Sequence, residues 1–77
     1  MSVPNSRLQV IGKILNYLRL KQQKTLEETA EAASITPALL QEIENGQYDF
    51  EIKILFALCE YFGVTHDEVI PPIKYHL

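Results

Sequence analysis

The side chains able to do covalent or metal chemistry are few: one cysteine, Cys59, and two histidines, His66 and His76. Their separations match no zinc-ligand spacing, and no enzyme signature accompanies them. Cys59 falls on one helical face with Leu55, Leu58 and Phe62, which predicts a buried packing thiol. A different set carries more information. Pro37, Ala38, Gln41, Glu42 and Asn45 lie opposite Leu40 and Ile43 when the segment is wound as a helix. Carboxamides donate and accept, a carboxylate accepts, and small apolar groups pack on methyls. Such a face suits recognition of a polar partner rather than catalysis. No catalytic residue, metal or cofactor is expected.

Five helical segments are needed to hold that face, near residues 6–22, 26–33, 37–45, 51–62 and 66–70. In the first, Leu8, Ile11, Leu15 and Leu18 recur at helical spacing, with Val10, Ile14 and Tyr17 widening the stripe. Gly12 weakens that helix by roughly 1 kcal/mol against alanine, which points to a close packing neighbour. Thr25-Leu26-Glu27-Glu28 reads as a capping box opening the second helix. Ser34-Ile35 makes a tight turn, then Thr36-Pro37 starts the third helix, Thr as N-cap and Pro in the first position. Gly46 ends the third helix. The fourth is read from Ile52, Leu55, Phe56, Leu58, Cys59 and Phe62, closed by Gly63. A second capping box, Thr65 to Glu68, opens the fifth, which Pro71-Pro72 stops. Residues 1–70 are thus read as one domain and 71–77 as a tail, whose alternating Ile73, Tyr75 and Leu77 are a weak strand signal.

Two short helices joined by a tight turn and set among longer ones form a helix-turn-helix. From Ile11 to Ile70 the chain resembles the phage repressor and Cro family, the XRE-type or lambda-repressor-like DNA-binding domains. The carriers are Leu18-Arg19, Thr25-x-Glu27-Glu28-x-Ala30, Ile35-Thr36 and Leu40-x-x-Ile43-Glu44-Asn45-Gly46. They continue as Ile52-x-x-Leu55-x-x-Leu58, Phe62-Gly63-Val64 and Asp67-Glu68. The resemblance implies an all-α, five-helix fold and a regulator of transcription that binds double-stranded DNA. It also implies a structural ion pair between Arg19 and Glu44, base contacts from residues 37, 38 and 42, and phosphate contacts from 26, 45, 47 and the following loop. The candidate DNA-binding set is therefore Thr25, Thr36, Pro37, Ala38, Gln41, Glu42, Asn45, Gln47 and Tyr48, the two threonines through the helix N-termini they open.

The chain departs from that family where charge matters. Position 26 is leucine, where the family commonly has a phosphate-binding glutamine, and residue 49 is aspartate. The third helix carries no positive charge, and the whole chain has a net charge of −3. The charge is unevenly placed. Residues 1–24 hold Arg7, Lys13, Arg19, Lys21 and Lys24 with no acid, while the remainder sets two lysines against all ten acids. A basic first segment favours a sequence-specific regulator of the Cro/C1 type, weakly cationic and so acting as a homodimer. The acidic third helix favours an alternative, the same fold serving as a protein-interaction module such as an antirepressor or an antitoxin-like partner. No run of apolar residues is long enough for a membrane span, and the lone cysteine suits a reducing compartment, so a cytoplasmic location is expected.

Overall fold

The computed structural model describes residues 6–69 of the 77-residue chain. Four α-helices follow one another: α1 (Ser6–Lys21), α2 (Leu26–Ala32), α3 (Pro37–Glu44) and α4 (Ile52–Phe62). The fifth segment is a single 3₁₀ turn, His66–Glu68, rather than the α-helix to residue 70 that its capping signal suggests. Its bonds run i to i+3, from the Glu68 amide to Thr65 O and from the Val69 amide to His66 O. The prolines at 71 and 72 have no amides with which a longer helix could continue. Residue 70, Pro71-Pro72 and the strand signal at 73–77 lie outside the described residues.

The helix starts follow local chemistry. The Thr25 hydroxyl accepts from the Glu28 amide at 3.1 Å, and the Glu28 carboxylate accepts from the Thr25 amide at 2.8 Å. Thr36 caps α3 by accepting from the Leu39 amide, with Pro37 in the first turn. The helix ends share one device. After α3 and α4, Gly46 and Gly63 take positive φ, and the next amide reaches back five residues, Gln47 to Glu42 O and Val64 to Cys59 O. The same motif closes α1 and α2 without glycine: Gln23 and Ser34 adopt φ of 58° and 59°, with bonds from Lys24 to Arg19 O and from Ile35 to Ala30 O. A left-handed non-glycine residue costs about 1–2 kcal/mol, partly offset against glycine by the latter's larger chain entropy. Ser34→Gly is therefore expected to stabilise the domain by about 0.5–1 kcal/mol, read as a rise of a few degrees in the thermal midpoint. An unchanged or lowered midpoint would refute the strain assigned to this turn.

The core is built from Ile11 and Leu15 of α1, Ala30 of α2, Leu40 and Ile43 of α3, and Leu55, Leu58, Cys59 and Phe62 of α4, with Ala33 and Val69. Helices α3 and α4 each pack on α1 and α2. Ala30 is fully buried, so the small side chain lets α2 approach its neighbours. The apolar stripes are narrower than their composition suggests: Val10 and Tyr17 on α1, and Ile52 and Phe56 on α4, stay exposed. Each of these helices meets its neighbours along one side only, which leaves the flanks of the stripe in water. Burial raises the pKa of the Cys59 thiol, and the nearby Glu68 charge adds to the shift. Thr29 is fully buried and its hydroxyl has no hydrogen-bond partner among the described residues.

Candidate nucleic-acid interface

The third helix exposes one face and anchors the other. Leu40, Ile43 and Glu44 are buried, whereas Pro37, Ala38, Gln41, Glu42 and Asn45 are exposed along a single stripe. Thr36, at the N-cap, and Gln47, just beyond the C-cap, extend that stripe as exposed positions. Thr25 is exposed at the start of α2. Tyr48 stands apart: it lines a groove with Ser34, Ile35 and Leu39 of the turn and third helix and with Ile54 of α4. Tyr48 itself stays exposed.

One ion pair sets the angle of α3 on α1. Arg19 Nε donates to Glu44 Oε2 at 2.7 Å and Nη2 donates to Glu44 Oε1 at 3.1 Å, a two-point contact. The side chains are 12% and 6% exposed. Arg19 Nη1 also donates to the carbonyl of Lys24 at 3.1 Å, which ties the end of α1 to the loop before α2. Both Glu44 oxygens are engaged, because Asn16 Nδ2 donates to Oε1 at 2.8 Å. Asn16 is a partner that residue type and spacing do not reveal, since 28 residues separate it from Glu44.

Gly12 allows this close approach. A Cβ there would lie 2.7 Å from the carbonyl oxygen of Glu44 and nearer still to that of Ile43. The crossing leaves a polar cleft of about 520 Å³ between α1 and the C-terminal end of α3, lined by Gln9, Lys13, Asn16, Glu44 and Asn45. Of these, only Glu44 and Asn45 belong to the elements that motif spacing singles out. The positive charge on α1 is the one sequence signal that leads toward the others.

Among the described residues, no group of histidine, cysteine and acidic side chains could hold a metal, and no helix is long and apolar enough to cross a membrane. Comparison with known proteins agrees with the geometry. A helix-turn-helix family model matches residues 9–69. The transcriptional regulator ClgR of Mycobacterium tuberculosis is 33% identical over 51 residues, covering 66% of this chain and 46% of that protein. The chain therefore spans about half the length of that curated relative. An uncharacterized HTH-type transcriptional regulator, MJ0272 of Methanocaldococcus jannaschii, is 29% identical over 55 residues, 71% of this chain and 83% of its own. Among solved structures, the clp gene regulator ClgR from Corynebacterium glutamicum superposes with a TM-score of 0.81 at 27% identity, over 87% of this chain and 71% of that one. The restriction-modification controller protein C.AhdI from Aeromonas hydrophila shares the fold, with a TM-score of 0.79 at 18% identity over 84% of this chain and 98% of that one. With most of its length matched by the family model and its third helix presented as described, the chain belongs to the XRE-type helix-turn-helix family of transcriptional regulators, a family of DNA-binding proteins and not of enzymes.

Proposed function

We propose that the protein is a sequence-specific DNA-binding regulator of the Cro/C1 type, acting as a homodimer that places one α3 in each of two successive major grooves. The observation that carries this reading is the exposed stripe Pro37, Ala38, Gln41, Glu42 and Asn45 on a helix whose other face is locked by Leu40, Ile43 and the Arg19–Glu44 pair. In the major groove Glu42 accepts from a cytosine amino group, and Pro37 and Ala38 pack on thymine methyls. Gln41 and Asn45 donate to bases or phosphate, as Gln47 does beyond the helix. The N-termini opened by Thr25 and Thr36 face phosphates with the first-turn amides that the caps do not take up. Tyr48 contributes at the rim of the loop. The homodimer draws on the apolar surface left on α4, where Ile52 is 56% and Phe56 46% exposed, and on residues 71–77 as a tail that follows it.

The absence of lysine and arginine from α3 sets the strength of binding. Selection from a random duplex library is expected to yield two half-sites about 34 Å apart, one helical turn. The slope of log affinity against log salt for the winning duplex is expected to match roughly 2–5 neutralised phosphates per subunit. Glu42→Gln is expected to tighten binding to random DNA and to relax preference at one base pair, an effect of about 1–3 kcal/mol at that position. One observation favours a second reading: the same face shows a carboxylate and no cation. If no selected duplex outcompetes random DNA at low salt, the fold serves as a protein-interaction module and its partner is a protein.

A further inference from the structure

We propose that the cleft between α1 and the C-terminal end of α3 is a clamp for a backbone phosphate of the DNA duplex, with Lys13 supplying the charge and Gln9, Asn16 and Asn45 the neutral donors. This rests on the DNA-binding reading and locates the cationic part of that interface on α1 instead of α3. Four side chains with N–H donors line one concavity of about 520 Å³. Its single carboxylate, Glu44, is neutralised by Arg19, and its two oxygens already accept from Arg19 and Asn16. The ammonium of Lys13 is exposed and makes no ion pair among the described residues. Gln9 lies close to the end of α3, since a Cβ on Gly46 would fall 2.7 Å from its Cα and 2.8 Å from its Cγ. With Arg19 counted against Glu44, the charge of the site is thus +1.

Its position suits a phosphate of the duplex. Asn45 belongs both to this cleft and to the exposed stripe of α3, so the clamp begins where that face ends. A helix lying in a major groove about 12 Å wide has the phosphates of the groove wall beside its ends. At the C-terminal end of α3 the helix dipole repels such a phosphate, and α3 itself has no basic residue in its last turn. The opposing charge must come from a neighbouring element, and α1 brings Lys13 there.

The test compares wild type and Lys13→Ala, each bound to the selected duplex and to random duplex across a salt series. Alanine is a better helix former than lysine, so the variant keeps α1. Lys13→Ala is expected to lower the salt slope by about 0.9 and to weaken binding about tenfold at 50 mM salt, converging with wild type near 1 M. The loss is expected to be equal on both duplexes, as a phosphate contact requires. The side-chain amide resonances of Asn16 and Asn45 are expected to shift with duplex and not with millimolar inorganic phosphate. If wild type binds duplex and Lys13→Ala keeps its full slope while its melting temperature falls, Lys13 only offsets the end of α3 and the clamp is overturned, with the DNA-binding reading left standing. Saturation of those amides by inorganic phosphate makes the cleft a small-anion site and also overturns it. If wild type binds no duplex at all, both readings fall together.

Discussion

Arg19→Ala is expected to destabilise the domain by about 3–5 kcal/mol, because it strands the Glu44 carboxylate, 6% exposed, with Asn16 as its remaining side-chain donor. A domain of this size has a total stability of roughly 4–12 kcal/mol, so the variant loses a large part of it. The loss exceeds that of a surface ion pair, which is typically under about 1 kcal/mol, since neither charge can turn to water. Urea denaturation at constant m-value reads it directly. Replacing both partners by apolar residues, Arg19→Met with Glu44→Leu, is expected to be milder than either single removal, because no uncompensated charge is left. A single variant within about 1 kcal/mol of wild type would show that the pair is screened by solvent and does not set the α1–α3 angle.

Gly12→Ala is expected to be at least as damaging, against the sign that helix propensity assigns it. In an isolated helix the change is favourable by about 1 kcal/mol. Here the new methyl would fall within 2.7 Å of Glu44 O and nearer still to Ile43 O, both backbone atoms that no rotamer change can move. Overpacking typically costs about 1–3 kcal/mol where side chains can yield, and more where they cannot. The helices must separate, which also pulls Arg19 and Asn16 away from Glu44. The expected outcome is a loss of roughly 3 kcal/mol or more in denaturant unfolding. Weakened DNA binding is expected to follow, since α3 loses its seat. A variant as stable as wild type would mean that α1 and α3 do not cross as closely as described.

Helices α1 and α4 were legible from their apolar period, and α2 and α3 also from their starts, because what starts a helix lies within about four residues. Thr25 with Glu28 and Thr36 with Pro37 each complete their hydrogen bonds or their first turn inside that span. Gly46 and Gly63 announce their left-handed caps by residue type alone. The same caps at Gln23 and Ser34 carry no such signal, because each residue adopts a conformation that its own type disfavours. The fifth segment shows how far a capping signal reaches: Thr65 and Glu68 bond as their spacing suggests, yet three residues ahead of the tail yield only a 3₁₀ turn.

What the chain's residues determined by themselves was thus the order of the helices and the outward stripe of α3, consequences of short-range periodicity and capping, and, through the resemblance of their motifs, the family. Only the tertiary structure decided which neighbour excludes a side chain at Gly12, that Asn16 reaches Glu44 across 28 residues, and that Val10, Tyr17, Ile52 and Phe56 remain in water. It also decided that Lys13 and Gln9 share a cleft with Asn45, while Tyr48 turns to a groove beside Ile35 and Ile54. The reason is geometric. A helix's own sequence sets the period of its faces, but which part of a face meets a neighbour depends on the crossing of two helices, and that crossing is settled by contacts between residues far apart in the chain.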